Sequence, residues 1–91
     1  MKPEQIAIVQ KEMKNVRTLL RLNQTEMGME LGYSASQYCK YEHGKAKMRA
    51  IDAVGFITIV TELYYSMRPN DAALSKKIYK LQDVLEEAYR S

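Results

Sequence analysis

Cys39 and His43 lie four residues apart, so on one helical turn the thiol and the imidazole face each other. Such a pair is a nucleophile with its base, or half of a soft-metal site. A tetrahedral metal site takes about four ligands, and the 91 residues hold one cysteine and one histidine. No metal and no other cofactor is therefore expected. Nucleophilic catalysis needs an oriented histidine and an oxyanion pocket. The neighbours of this pair are lysines, and no glycine-rich phosphate loop occurs. The chain is not expected to be an enzyme. Charge carries a stronger signal. Lys40, Lys45, Lys47 and Arg49 face only Glu42 across residues 40–49. Residues 1–50 carry nine Lys/Arg against five Asp/Glu, whereas residues 51–91 carry five against six. A local basic cluster in a nearly neutral protein points to a polyanion at one surface.

The rest of the composition narrows the class. A hydrophobic fraction of 46% with 27% charged residues is that of a soluble globular protein, and the length suits one domain over residues 1–91. No run of about 18 uninterrupted apolar residues occurs, so no membrane partner is expected. The start, Met1-Lys2-Pro3-Glu4-Gln5, lacks the apolar run of a secretory signal. A single cysteine suits a reducing, cytoplasmic compartment.

The elements that position the cluster are all helical: periodicity predicts five helices and no strand. The first spans about 3–22, opened by Pro3, with Ile6, Val9, Met13, Val16 and Leu20 forming one apolar stripe. Asn23 with Glu26 makes a capping box for the second helix, which ends at Gly32. Ser34 caps the third, with Gln37 at the reciprocating position, and that helix closes before Gly44. The fourth, 50–67, is apolar nearly all round, which predicts burial on a second side by another subunit. Pro69 breaks the chain, and Asn70 or Asp71 caps the fifth helix. Its Leu74, Ile78, Leu81, Leu85 and Ala88 form a short seam for docking on another helix, within the subunit or across a dimer. The six methionines read as core filler. Tyr64, Tyr65 and Tyr89 are candidates for an interface.

Residues 24–43 have the pattern of a helix-turn-helix. Two short helices that cross closely need a small residue at the approach, Gly28, and a turn tolerant of positive φ, Gly32. Met27, Leu31, Tyr33, Tyr38 and Tyr41 fall at inward positions. At about 100° per residue, Ala35, Ser36, Cys39 and Lys40 occupy the outer arc of the third helix. Those four are the expected base-contacting residues. Lys40 suits guanine, Ser36 discriminates little, and Ala35 and Cys39 suit a thymine methyl. Phosphate contacts are expected from Gln24 and Ser34 at the helix N-termini, and from Lys45, Lys47 and Arg49. Gln37 is a further phosphate candidate, with a capping role beside Ser34 as the alternative.

Residues 16–47, VRTLLRLNQTEMGMELGYSASQYCKYEHGKAK, resemble the lambda-repressor-like (Cro, XRE) DNA-binding family. The Leu22-Asn23-Gln24 opening, the Gly32 turn and the ending Tyr41-Glu42-His43-Gly44-Lys45 follow its pattern. The resemblance implies a structural pair between Arg17 of the first helix and Glu42 closing the recognition helix. Gly28 replaces the usual alanine, Tyr38 and Tyr41 replace smaller aliphatics, and Ala35 stands where relatives often place glutamine. An operator sequence therefore does not carry over.

Together these features predict an all-α, five-helix lambda-repressor-like domain whose C-terminal helices form a dimer interface. The expected function is a dimeric repressor binding an inverted repeat of double-stranded DNA, in a bacterial or phage-infected cell. An antitoxin binding DNA and a toxin, an autorepressor of an anti-CRISPR-associated or phage operon, and a protein-interaction module without DNA affinity are the alternatives.

Overall fold

Pro3 opens α1 (Pro3–Leu19) at the position where its missing N–H costs no hydrogen bond. The computed structural model describes residues 1–68 and 70–90, and these form five helices and no strand. The apolar stripe of α1 is buried at Ile6, Val9, Met13 and Val16. The helix stops earlier than residue 22 because Arg21 takes a positive φ of 62°. Leu20 remains fully buried just past the helix end, so the apolar period runs beyond the helical backbone.

Asn23 and Glu26 cap α2 (Gln24–Leu31) reciprocally. Asn23 Oδ1 accepts from Glu26 N at 2.8 Å, and Glu26 Oε1 accepts from Asn23 N at 2.9 Å. α2 ends at Gly32 with φ 77°, the left-handed conformation that glycine adopts without Cβ strain. Ser34 Oγ accepts from Gln37 N at 3.1 Å and caps α3 (Ala35–Glu42). Gln37 engages through its backbone N–H, and no return bond from its side chain completes a capping box. Asp71, not Asn70, caps α5 (Ala72–Arg90), its Oδ1 accepting from Leu74 N at 3.1 Å. The chain break expected at Pro69 lies outside the described residues.

α4 (Ala50–Met67) runs through the centre and packs on α1, α2 and α5. Ala53, Phe56, Ile57 and Val60 are buried in one cluster with the stripes of α1 and α5. Leu74, Ile78 and Leu81 of the C-terminal seam are fully buried, joined by Val84, while Leu85 is half-buried. That seam docks inside its own subunit. The opposite side of α4 stays open, with Ile51 71% and Tyr65 55% exposed. By length and composition α4 is also the one helix among the described residues that is long and apolar enough to cross a membrane. Methionine serves the core only in part. Met13, Met27 and Met48 are buried, but Met29 is 75% exposed and Met67 50%.

A polar contact that periodicity did not reveal ties α1 to α5. Glu12 is buried, with Lys77 Nζ at 2.7 Å and Lys80 Nζ at 3.6 Å. Burial pushes its carboxyl up, but the two ammonium groups more than reverse this and hold it below the usual range.

Candidate nucleic-acid interface

The α2–α3 pair is drawn together at Gly28. A Cβ there would meet Tyr33 O at 3.0 Å and Tyr38 Cβ at 3.5 Å, so the glycine permits the close approach. Tyr33 N donates to Gly28 O at 2.7 Å and closes the turn. Met27, Tyr38 and Tyr41 are buried behind this junction, and Leu31 and Tyr33 pack half-buried against the same core. Neither eight-residue helix has the length to persist alone. Their geometry depends on what lies beneath.

Three polar anchors hold α3. The first is Arg17, whose Nε donates to Glu42 Oε2 at 2.8 Å and whose Nη2 donates to Glu42 Oε1 at 2.9 Å, a bidentate fork. Arg17 Nη1 also donates to Leu22 O at 3.0 Å, and Gln24 Nε2 donates to Glu42 Oε1 at 3.2 Å. One carboxylate thus gathers α1, α2 and α3, and its side chain is only 1% exposed. Burial raises the Glu42 carboxyl, but the bonds from Arg17 and its neighbours outweigh burial and hold it below the usual range. The Glu42 bond correspondingly raises Arg17.

The second anchor is Asp52 in the first turn of α4. Its Oδ1 accepts from Tyr33 Oη at 2.7 Å, and its Oδ2 accepts from Tyr41 Oη at 3.3 Å and from Arg49 Nε at 3.0 Å. The Tyr33 and Tyr41 rings meet edge to face at 5.5 Å. Burial pushes Asp52 up, and the Arg49 and Tyr33 bonds bring its net value down. Burial, then the Asp52 carboxylate, push the Tyr33 phenol well above its ordinary value. The third anchor is Gln10, whose Nε2 donates to Tyr41 O at 2.9 Å and Ala46 O at 3.0 Å, satisfying the end of α3 and the loop after it. Sequence reasoning missed Asp52 and Gln10 as anchors. Asp52 had a legible signal, a lone acid opening an apolar helix.

With α3 held this way, its outer arc is open. Ala35, Ser36 and Lys40 are exposed, and Cys39 is half-exposed with its Sγ 3.2 Å from His43 Nδ1. Ser34 is exposed at the N-terminus and Gln37 is half-buried. Lys45 and Lys47 are exposed, and the loop is set by Gly44 at φ 72° and by Lys45 N donating to Lys40 O at 2.9 Å. None of Lys40, Lys45 and Lys47 forms an ion pair among the described residues. The only acid of residues 40–49, Glu42, is turned inward onto Arg17. The outward surface is therefore cationic beyond the formal count.

Two expected phosphate contacts are partly engaged elsewhere. The Gln24 side chain is held by Glu42, which leaves its place at the α2 N-terminus for backbone contact. Arg49 is exposed but paired with Asp52, so part of its charge is neutralised. No group of three or more His, Cys, Asp or Glu side chains that could hold a metal ion occurs among the described residues. In comparison with known proteins, no family model, no curated protein and no solved structure matches this chain.

Proposed function

We propose that the chain is a lambda-repressor-like regulator that binds double-stranded DNA as a homodimer, with α2 and α3 as the helix-turn-helix and α3 in the major groove. The observation that carries this is the outer arc of α3: small or cationic side chains on an outward surface, backed by a rigid three-point anchorage and flanked by unpaired lysines. Ala35, Ser36, Cys39 and Lys40 are the base-contacting residues. Small side chains let a helix sit deep in the groove, and Lys40 donates to guanine O6 or N7. Ser34, Gln37, Lys45 and Lys47, with the backbone at Gln24 and the partly neutralised Arg49, take phosphates. Because direct readout is thin, DNA shape and half-site spacing carry part of the specificity.

Ile51 and Tyr65, large apolar side chains exposed on the open side of α4, support dimerisation through that helix. Two copies of α3 then enter successive major grooves about 34 Å apart on an inverted repeat. Occupying a promoter in this way represses it.

A salt series tests the reading. With about three to five phosphates neutralised per subunit, log K against log salt falls with a slope of roughly −5 to −9 for the dimer. Lys40→Ala is expected to cost about 1–3 kcal/mol of discrimination at one base position, with folding unchanged, as measured by anisotropy titration of wild-type and base-substituted duplexes. Binding that is insensitive both to salt and to Lys40→Ala contradicts the reading.

A further inference from the structure

We infer that the DNA backbone runs past the α3–α4 loop and onto α1, where Lys14 takes a phosphate. This rests on the duplex-binding reading of α3 and extends its footprint to a third element.

The position of Lys14 follows from the bonds on either side of it. At about 100° per residue, Gln10, Lys14 and Arg17 fall within an arc of roughly 60° on α1. Gln10 reaches Tyr41 O and Ala46 O, and Arg17 reaches Glu42, so this arc lies against the end of α3 and the loop that follows it. Lys14 sits between those two contacts, on the solvent edge of the same arc, and is exposed. It therefore borders the loop that carries Lys45 and Lys47. Among the described residues neither Lys14 nor the lysines at 40, 45 and 47 form an ion pair. The buried acid of α1, Glu12, points the other way onto Lys77 and Lys80 of α5.

Lys14, Lys40, Lys45 and Lys47 are thus exposed, unpaired ammonium groups on α1, on α3 and in the loop that follows it. The negative C-terminal end of α3 attracts cations, but its carbonyls at Cys39, Lys40 and Tyr41 are already engaged. Tyr41 O accepts from Gln10, and Lys40 O accepts from Lys45 N and Ala46 N. Lys14 stands on a different helix, away from its own terminus. A cationic arc that spans three elements fits a continuous polyanion, and duplex DNA presents one charge per about 1.7 Å of axis. A discrete anion would need one convergent pocket instead.

The test compares single variants by anisotropy titration of a long mixed-sequence duplex over a salt series, with thermal melts alongside. Lys14→Gln is expected to weaken binding equally for all sequences and to reduce the salt slope by about one unit per subunit, with an unchanged Tm. Lys14→Arg is expected to retain the wild-type slope, and Lys76→Gln, on the exposed side of α5, to leave it unmoved. An unchanged slope for Lys14→Gln, while Lys45→Gln lowers it, overturns the extension onto α1 and leaves the α3 reading standing. A lowered Tm that accounts for the lost affinity also overturns it. A wild-type protein with no salt-sensitive affinity for any duplex overturns both readings together.

Discussion

Glu42→Ala is expected to lower folding stability by about 2–4 kcal/mol, because it leaves a largely buried guanidinium without its carboxylate partner. Arg17 is 14% exposed and Glu42 1%, so solvent replaces the lost fork only in part. The loss should also release Gln24 and free α3 to shift against α1. Denaturant titration reads the cost as a lower midpoint with little change in slope. Arg17→Met combined with Glu42→Leu should recover much of it, since the desolvation of both ions disappears along with their attraction. DNA affinity is expected to fall in Glu42→Ala while base preference stays the same. A changed preference at unchanged stability would make Glu42 a reader of bases and not an anchor.

The same pair sets a pH limit. The folded-state value of Glu42 lies below its ordinary 4.5, so its contribution is fully present above the unfolded value. It is lost as pH falls through the lowered folded value. Glu12 and Asp52 are shifted in the same direction and act with the same sign. Thermal melts should thus show stability declining on the acid side of about pH 4.5, and Glu42→Gln should flatten that decline.

The second large effect is expected at Tyr38. Its ring is fully buried under α3, and Tyr38→Ala should cost about 3–5 kcal/mol through the cavity it leaves. In a domain of this size the total is about 5–14 kcal/mol, so the variant would be barely folded. Tyr38→Phe is expected to behave in the opposite way. The Tyr38 hydroxyl is buried beside the Glu42 carboxylate without a hydrogen bond of good geometry, and burial followed by that carboxylate pushes its phenol far above the ordinary value. Removing that hydroxyl should leave stability unchanged or raise it by about 1 kcal/mol. A large loss in Tyr38→Phe would mean that the hydroxyl is bonded after all.

These two residues also show what the sequence made legible. Tyr38 lies at an inward position of a short capped helix, and its burial follows from spacing alone. The caps at Asn23 and Ser34 and the left-handed Gly32 follow equally from local chemistry, since each depends on neighbours within a few residues. Glu42 was assigned through a resemblance, because an ion pair between residues 17 and 42 leaves no periodic trace. Gln10 and Glu12 were missed for the same reason, whereas Asp52 carried a signal as the lone acid opening an apolar helix. A polar residue that turns inward breaks the apolar pattern, and only tertiary packing decides whether it finds a partner. Periodicity also overran the end of α1, since Leu20 keeps its apolar face after the backbone has left the helix. The seam of α5 left two partners open, and the packing of Leu74, Ile78 and Leu81 on α1 and α4 selects the one within the subunit. On the open side of α4, Ile51 and Tyr65 remain exposed beside Thr58 and Glu62.

Selection of binding sites from a pool of random duplexes tests the central claim most directly, because it asks whether the outer face of α3 reads sequence. The account predicts enrichment of an inverted repeat with half-sites about one helical turn apart, 10–10.5 base pairs, or a multiple of that, and a relaxed preference at one position in Lys40→Ala. A pool that emerges unenriched at low salt, with the protein folded throughout, would contradict it.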